Sequence, residues 1–232
     1  MAERPALSKR LAAEGLGAFF LFATVIGSGI MAENLSRGNE AIALLANTLA
    51  TGAMLFVLIT MLGPISGAHM NPAVSLVAAL RRELFWKEAG AYAIVQLALG
   101  IVGTWAAHLM FDLPALQLSV KARTGLGQWT GEAIATFGLV LTIIGTTRHR
   151  PTWVPASVAL YIMAAYWFTS STSFANPAIT IARSLSDSFA GIAPADVPLF
   201  VVAQLLGAFL AALTARFLFD AQPAPRSAAG AH

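Results

Sequence analysis

Two tripeptides carry most of the chemistry legible in this sequence: Asn71-Pro72-Ala73 and Asn176-Pro177-Ala178. Asparagine is a good helix cap and proline is favoured at the first helical position, so each tripeptide reads as a helix start. A helix N-terminus presents roughly half a positive charge. Two such starts facing one lumen oppose cations, hydronium included, while the asparagine amides remain free to donate to a passing oxygen. Glu14 and Glu132 form a second pair, 118 positions apart. A carboxylate in an apolar stretch is costly and marks function or buried support. The reading favoured here is support, each carboxylate accepting backbone N–H groups from a loop; the rival is a proton or ion relay. His69 has no second histidine near it in sequence, since His108 and His149 belong to other elements, so it reads as a loop-packing residue and not a metal ligand. With no cysteine there is no disulfide, thiolate nucleophile or thiolate metal site. No nucleophile–base constellation or metal-spaced cluster points to an enzyme, and no cofactor is called for.

The elements that position these groups follow from where charge is missing. Of 232 residues, 57% are hydrophobic and 11% charged, whereas about a quarter of a soluble domain is charged. Residues 15–32, 41–80, 89–111, 151–182 and 197–215 hold no formal charge, and 124–147 holds only Glu132. A membrane helix needs roughly 20 apolar residues. Four runs fit one span each. The two longer ones, 41–80 and 151–182, are interrupted at Gly63-Pro64-Ile65-Ser66-Gly67 and at Thr169-Ser170-Ser171-Thr172-Ser173. Each therefore reads as a full span, a loop and a short helix opened by Asn-Pro. The expectation is an all-α membrane protein with six spans and two half-helices.

The net charge of +3 invites a nucleic-acid reading, but the basic residues are segregated by side. Arg4, Lys9, Arg10, Arg81, Arg82, Lys87, Arg148, Arg150, Arg216 and Arg226 fall on one side, against Arg37, Lys121, Arg123 and Arg183 on the other. Both termini are expected in the cytoplasm of an inner-membrane, multi-pass protein with no nucleic-acid partner.

The halves also match in order. Residues 13–29 and 131–147 align at an offset of 118, so that Phe19 meets Phe137, Thr24 meets Thr142 and Gly27 meets Gly145. Gln96 answers Gln204, and Phe111-Asp112 answers Phe219-Asp220. Three spans per half is odd, so the second half enters from the opposite face: an inverted 3+3 repeat with its site at the midplane. Expected boundaries are 8–115 and 125–220 within a single domain, 1–232, with 221–232 a disordered tail.

On Ser66-Gly67-Ala68-His69-Met70-Asn71-Pro72-Ala73-Val74, on Ser173-Phe174-Ala175-Asn176-Pro177-Ala178 and on the two glutamates, the chain resembles the aquaporin, or major intrinsic protein, family over about residues 8–220. The resemblance implies a right-handed helical bundle, a pore in every subunit and a homotetramer in the lipid bilayer. It implies pore-lining carbonyls at Gly67, Ala68 and His69 and at Thr172 and Ser173. It also implies a four-residue selectivity filter. Here three of its positions fall on Thr51, Ser173 and Ile179. The fourth is Ala164 counted back from Asn176, or Tyr166 aligned from Pro155. Family members normally carry arginine at the position of Ile179, and water-selective ones an aromatic at Thr51. A ring of Thr51, Ala164, Ser173 and Ile179 is expected to be wide and mostly uncharged. Arg183, one turn beyond Ile179, is either a cation at the outer mouth or a solvated helix end.

The stretches Leu45–Gly52 and Ser170–Arg183 further resemble a bacterial aquaglyceroporin branch associated with arsenic resistance. That implies passage of small neutral solutes: arsenite, antimonite, methylated arsenicals, polyols such as glycerol, and water. The alternatives are a water-selective pore and an ion-coupled transporter.

Overall fold

The computed structural model describes residues 4–219, and its regular elements are helical. Helices α1 (Leu7–Ser36), α2 (Glu40–Ser66), α3 (Pro72–Leu80) and α4 (Trp86–Met110) make the first half. Helices α5 (Leu126–His149), α6 (Val154–Phe168), α7 (Pro177–Arg183) and α8 (Val197–Phe219) make the second. The expected tail at 221–232 lies outside the described residues. Of the six long helices, α6 has 15 residues, extended at its start by the 3-10 turn Pro151–Trp153; the other five are each long and apolar enough to cross a membrane.

The short helices start where the Asn-Pro steps place them. Asn71 Oδ1 accepts from Ala73 N at 2.9 Å, and Asn176 Oδ1 accepts from Ala178 N at 3.0 Å and Ile179 N at 3.3 Å. Proline occupies the first turn in both. One boundary differs from expectation. Helix α2 continues through Gly63 and Pro64 to Ser66 and ends at Gly67, whose N–H donates to Gly63 O at 3.0 Å. Pro64 sits in the last turn, where a kink has no further helix to disturb.

Three contacts establish the inversion. Arg10, near the start of α1, grips Glu88, near the start of α4. At the far end of α4, His108 Nε2 lies 2.8 Å from Ser186 Oγ, just beyond α7. On that same side Arg123 N, preceding α5, donates to Asp196, preceding α8, at 2.7 Å. Helices α1 and α4 thus start from one face and α5 and α8 from the other. The packing repeats accordingly: α1 on α2 and α4, α5 on α6 and α8, with α2 on α6 joining the halves. Close approach depends on glycine: a Cβ at Gly103 would run into the Phe19 carbonyl, and one at Gly207 into the Ala133 carbonyl. The outer surfaces expose Leu16, Phe20, Leu49, Phe56, Val202 and Phe209 among many large apolar side chains, more than a soluble monomer ordinarily presents.

Candidate pore and outer constriction

Between the two half-helices and the long helices runs a cavity of about 270 Å³. It is lined from Arg81, Glu83, Thr147 and Val154 at one end, past Asn71 and Asn176, to Thr51, Tyr166, Ser173, Ile179 and Arg183 at the other. Its middle wall is aliphatic: Leu21, Val25, Leu55, Ile59, Leu139, Val140, Val158 and Ile162.

The loops that enter it are held by the buried glutamates. Glu14 accepts from Ser66 Oγ at 2.7 Å, His69 N at 2.9 Å, Met70 N at 2.7 Å and Gln96 Nε2 at 2.7 Å. Glu132 accepts from Phe174 N at 2.8 Å, Ala175 N at 2.9 Å and Gln204 Nε2 at 2.6 Å. In a trans peptide the N–H and the preceding C=O point in opposite directions. Aiming those four N–H groups at the glutamates therefore turns the carbonyls of Ala68, His69, Ser173 and Phe174 away from them, and these four residues line the cavity.

This ladder overlaps the expected one without matching it. Gly67 is in the lining, but Thr172 is not; its N–H bonds Thr169 O at 3.2 Å in the turn that closes α6. The Phe174 carbonyl was missed, although the register of the N–H groups on Glu132 dictates it. The loops pass through left-handed backbone at matched positions: Ala68 (φ 49°), Met70 (φ 48°), Ser173 (φ 51°) and Ala175 (φ 48°). Each costs roughly 1–2 kcal/mol for a residue with a Cβ, offset by the charge-assisted bonds to the carboxylates.

The asparagine amides are only half free. Asn71 Nδ2 donates to Ala175 O at 2.7 Å, and Asn176 Nδ2 donates to Met70 O at 2.8 Å. Each half thus holds the other half's loop, and one N–H per amide remains for a molecule in the cavity.

At the outer end the two candidates for the fourth ring position are placed differently. Ala164 is exposed on the outside of α6 and plays no part in the lining. Tyr166 is buried, lines the cavity and donates its hydroxyl to Thr51 Oγ1 at 3.3 Å. Two residues advance a helix by about 200°, so the two cannot face one way. Thr51, Tyr166, Ser173 and Ile179 line this end of the cavity, a set more aromatic and more polar than one with alanine. Ser173 Oγ is buried with no hydrogen-bond partner among the described residues.

Arg183 is not a solvated helix end. It is 2% exposed, its Nε donates to the Ala190 carbonyl, and its guanidinium lies 3.2 Å from the Phe174 ring centroid. A second buried arginine sits over the same ring. Arg123, on the loop before α5, is 4.9 Å from that centroid, with Nε donating to Gly191 O at 2.8 Å and Nη1 to Ser171 O at 3.2 Å. Burial pushes the Arg123 guanidinium down to about 10, against the pull of Glu132 and Tyr166, so it stays a cation at neutral pH. Lys121, on the same loop, is also pushed down by burial and by both arginines; it bonds Phe189 O at 2.8 Å. Among the described residues no group of three His, Cys, Asp or Glu could hold a metal. His69 instead packs on Tyr92 and reaches Ser75 Oγ at 3.1 Å.

Comparison with known proteins agrees with this arrangement. The profile for the Major intrinsic protein family matches residues 1–173 and 152–231. The chain is 56% identical over 218 residues to aquaglyceroporin AqpS of Rhizobium meliloti (strain 1021), covering 94% of this chain and 92% of that protein. It is 30% identical over 240 residues to aquaporin AqpM of Methanothermobacter marburgensis, covering 91% and 98%. In fold it is similar to the X-ray structure of the aquaglyceroporin from Plasmodium falciparum, with a TM-score of 0.74 at 18% identity, over 92% of this chain and 97% of that one.

Proposed function

The chain belongs to the major intrinsic protein family, whose aquaglyceroporins are membrane channels and not enzymes, and from this premise we propose that it passively conducts small uncharged polyhydroxy solutes. Glycerol is the reference solute, in keeping with the name of its relative AqpS. The neutral metalloid acids, arsenite and antimonite, and methylated arsenicals are the cargo that the departures in its outer ring favour.

The observation that carries this reading is Ile179. It is buried and lines the outer constriction, where an arginine would place a charge and a bulky fork of donors. With Thr51, Tyr166 and Ser173 the constriction offers three hydroxyls and an aliphatic wall. A polyol or trihydroxide bonds its oxygens to such groups while its carbon or metalloid side rests on Ile179. Deeper in, the carbonyls of Ala68, His69, Ser173 and Phe174 accept the solute's hydroxyl protons, and the free N–H of each asparagine donates to its oxygens. The positive ends of α3 and α7 oppose cations at the crossing.

Water selectivity is the second reading. Tyr166 supports it, because an aromatic narrows a ring that alanine would leave open. An ion-coupled relay is disfavoured: the two candidate carboxylates are already engaged, Glu14 by four donors and Glu132 by three. The expected setting is the inner membrane, both termini cytoplasmic, with the apolar exterior against lipid and against three further copies in a homotetramer.

Stopped-flow light scattering on proteoliposomes tests the function. Glycerol and arsenous acid are expected to enter much faster than into empty vesicles. Fast water entry with both solutes excluded would assign the pore to water alone, and no flux of any neutral solute would sink the channel reading.

A further inference from the structure

Losing arginine at position 179 does not leave the outer constriction without a cation. We propose that Arg183 supplies its positive charge and N–H donors, and that Arg123, acting across the Phe174 ring, is a positioning residue that holds Arg183 in place. The inference rests on the reading of the chain as a neutral-solute channel and adds the residues that set its selectivity.

Helix periodicity makes the relocation possible. Arg183 follows Ile179 by four residues and so lies on the same face, about 6 Å farther along the axis. Both residues line the same cavity. Arg183 donates only from Nε among the described residues, to Ala190, although a guanidinium has five N–H groups. Among the described residues it also has no carboxylate within ion-pair distance, which is an expensive state for a buried charge. A structural arginine would be spent on neighbours; this one lines the cavity with its terminal donors uncommitted among the described residues, as does Ser173, whose Oγ also has no partner there. Together they suit a neutral molecule bearing several hydroxyl oxygens, which accepts from the guanidinium while the serine takes either role.

Arg123 meets the opposite description. Its Nε and Nη1 are spent on Gly191 O and Ser171 O, and its backbone N–H on Asp196. It does not appear in the cavity lining, yet its guanidinium shares the Phe174 ring with Arg183. Two like charges on one ring repel, so Arg123, pinned by two carbonyls, limits where Arg183 can rest. Gly191 accepts from Arg123 and neighbouring Ala190 from Arg183, so one strip of loop anchors both.

The test separates charge from position. Purified protein in liposomes is assayed for Na⁺ leak and for the ratio of glycerol to water flux. Arg183→Gln is expected to raise Na⁺ entry about tenfold, from loss of one weakly screened charge at the mouth, and to lower the glycerol-to-water ratio. Arg183→Lys should keep the leak low and still lower the ratio, because an ammonium lacks the planar fork. Arg123→Lys keeps its charge but loses one of its two carbonyl bonds. It should move the ratio in the direction of Arg183→Gln, and should have no effect in the Arg183→Gln background. A purely structural arginine would instead change water and glycerol equally. Should Arg183→Gln fail to assemble, the ratio in Arg183→Lys decides. Wild-type leak and ratio in the Arg183 variants, with wild-type glycerol flux intact, would overturn the proposal while leaving the channel reading standing. An Arg123→Lys effect that persists in full without Arg183 would overturn the positioning role alone. A wild-type protein that carries no glycerol above empty vesicles would remove the underlying reading instead.

Discussion

The loop before α3 and the loop before α7 are built on one plan and finished differently. In the first, Glu14 takes four donors, Ser66 Oγ among them. In the second, Glu132 takes three, and the matching Ser171 hydroxyl turns instead toward Thr169 Oγ1 at 3.5 Å. Two residues before the asparagine stands His69 in one loop and Phe174 in the other. His69 packs on Tyr92, and Phe174 on the matching Phe200. The second loop carries two buried arginines on its phenyl ring. The shared part, carboxylate, crossed asparagine bonds and helix starts, shapes the passage. The unshared part, one aromatic position and what lies against it, is where the proposed selectivity of the outer end resides.

Substituting each glutamate tests the shared part and carries the largest expected effect. Glu14→Ala strands two loop N–H groups, a serine and a glutamine, at a cost of about 3 kcal/mol or more, and flux should fall more than tenfold. Glu132→Ala should do the same with a slightly smaller loss of thermal stability, one donor fewer being stranded. Comparable melting and flux in wild type and either variant would show that the carboxylates do not hold the loops.

Ile179→Arg tests the unshared part. It should cut glycerol and arsenous acid entry by about tenfold, through a second guanidinium within a turn of Arg183, while water flux persists. Equal solute flux in wild type and variant would show that Ile179 lies outside the constriction.

Tyr166→Ala should raise entry of larger polyols by a few fold, since a methyl replaces the ring that bonds Thr51. Ala164→Val, on the exposed side of α6, should leave both ratio and rate at wild type. The reverse pattern would reinstate Ala164 in the ring.

The smallest effect is expected from making the halves alike. His69→Phe removes the bond to Ser75 but keeps the packing on Tyr92, for a loss of about 1 kcal/mol of stability and less than a twofold change in flux. A large change in selectivity would mean that the inner loop selects as well.

The helix starts were legible because capping is local: an asparagine, a proline and the next two N–H groups suffice. The glutamates were legible because the chain repeats them in register. Tyr166 against Ala164 was not, because the choice depends on how many residues Thr169–Ser173 spend between α6 and α7. An error of two residues turns a helix almost to its opposite face. The burial of Arg183 was readable in part from its spacing to Ile179, but its partners Ala190 and Arg123 come from loops that meet only in three dimensions. The end of α2 was misplaced because a proline in a last turn looks, in sequence, like a proline in a loop.

The crossed asparagine bonds have a consequence for synthesis. Met70 O receives its donor from Asn176, 106 positions later. At roughly 5–20 residues per second the first loop therefore exists for on the order of ten seconds before its partner is made. Throughout that interval its carbonyl has no side-chain donor from the second half, at a depth where unpaired backbone is costly. That bond forms only once the second loop has been made, so the order of the ribosome's work becomes part of how the pore closes on itself.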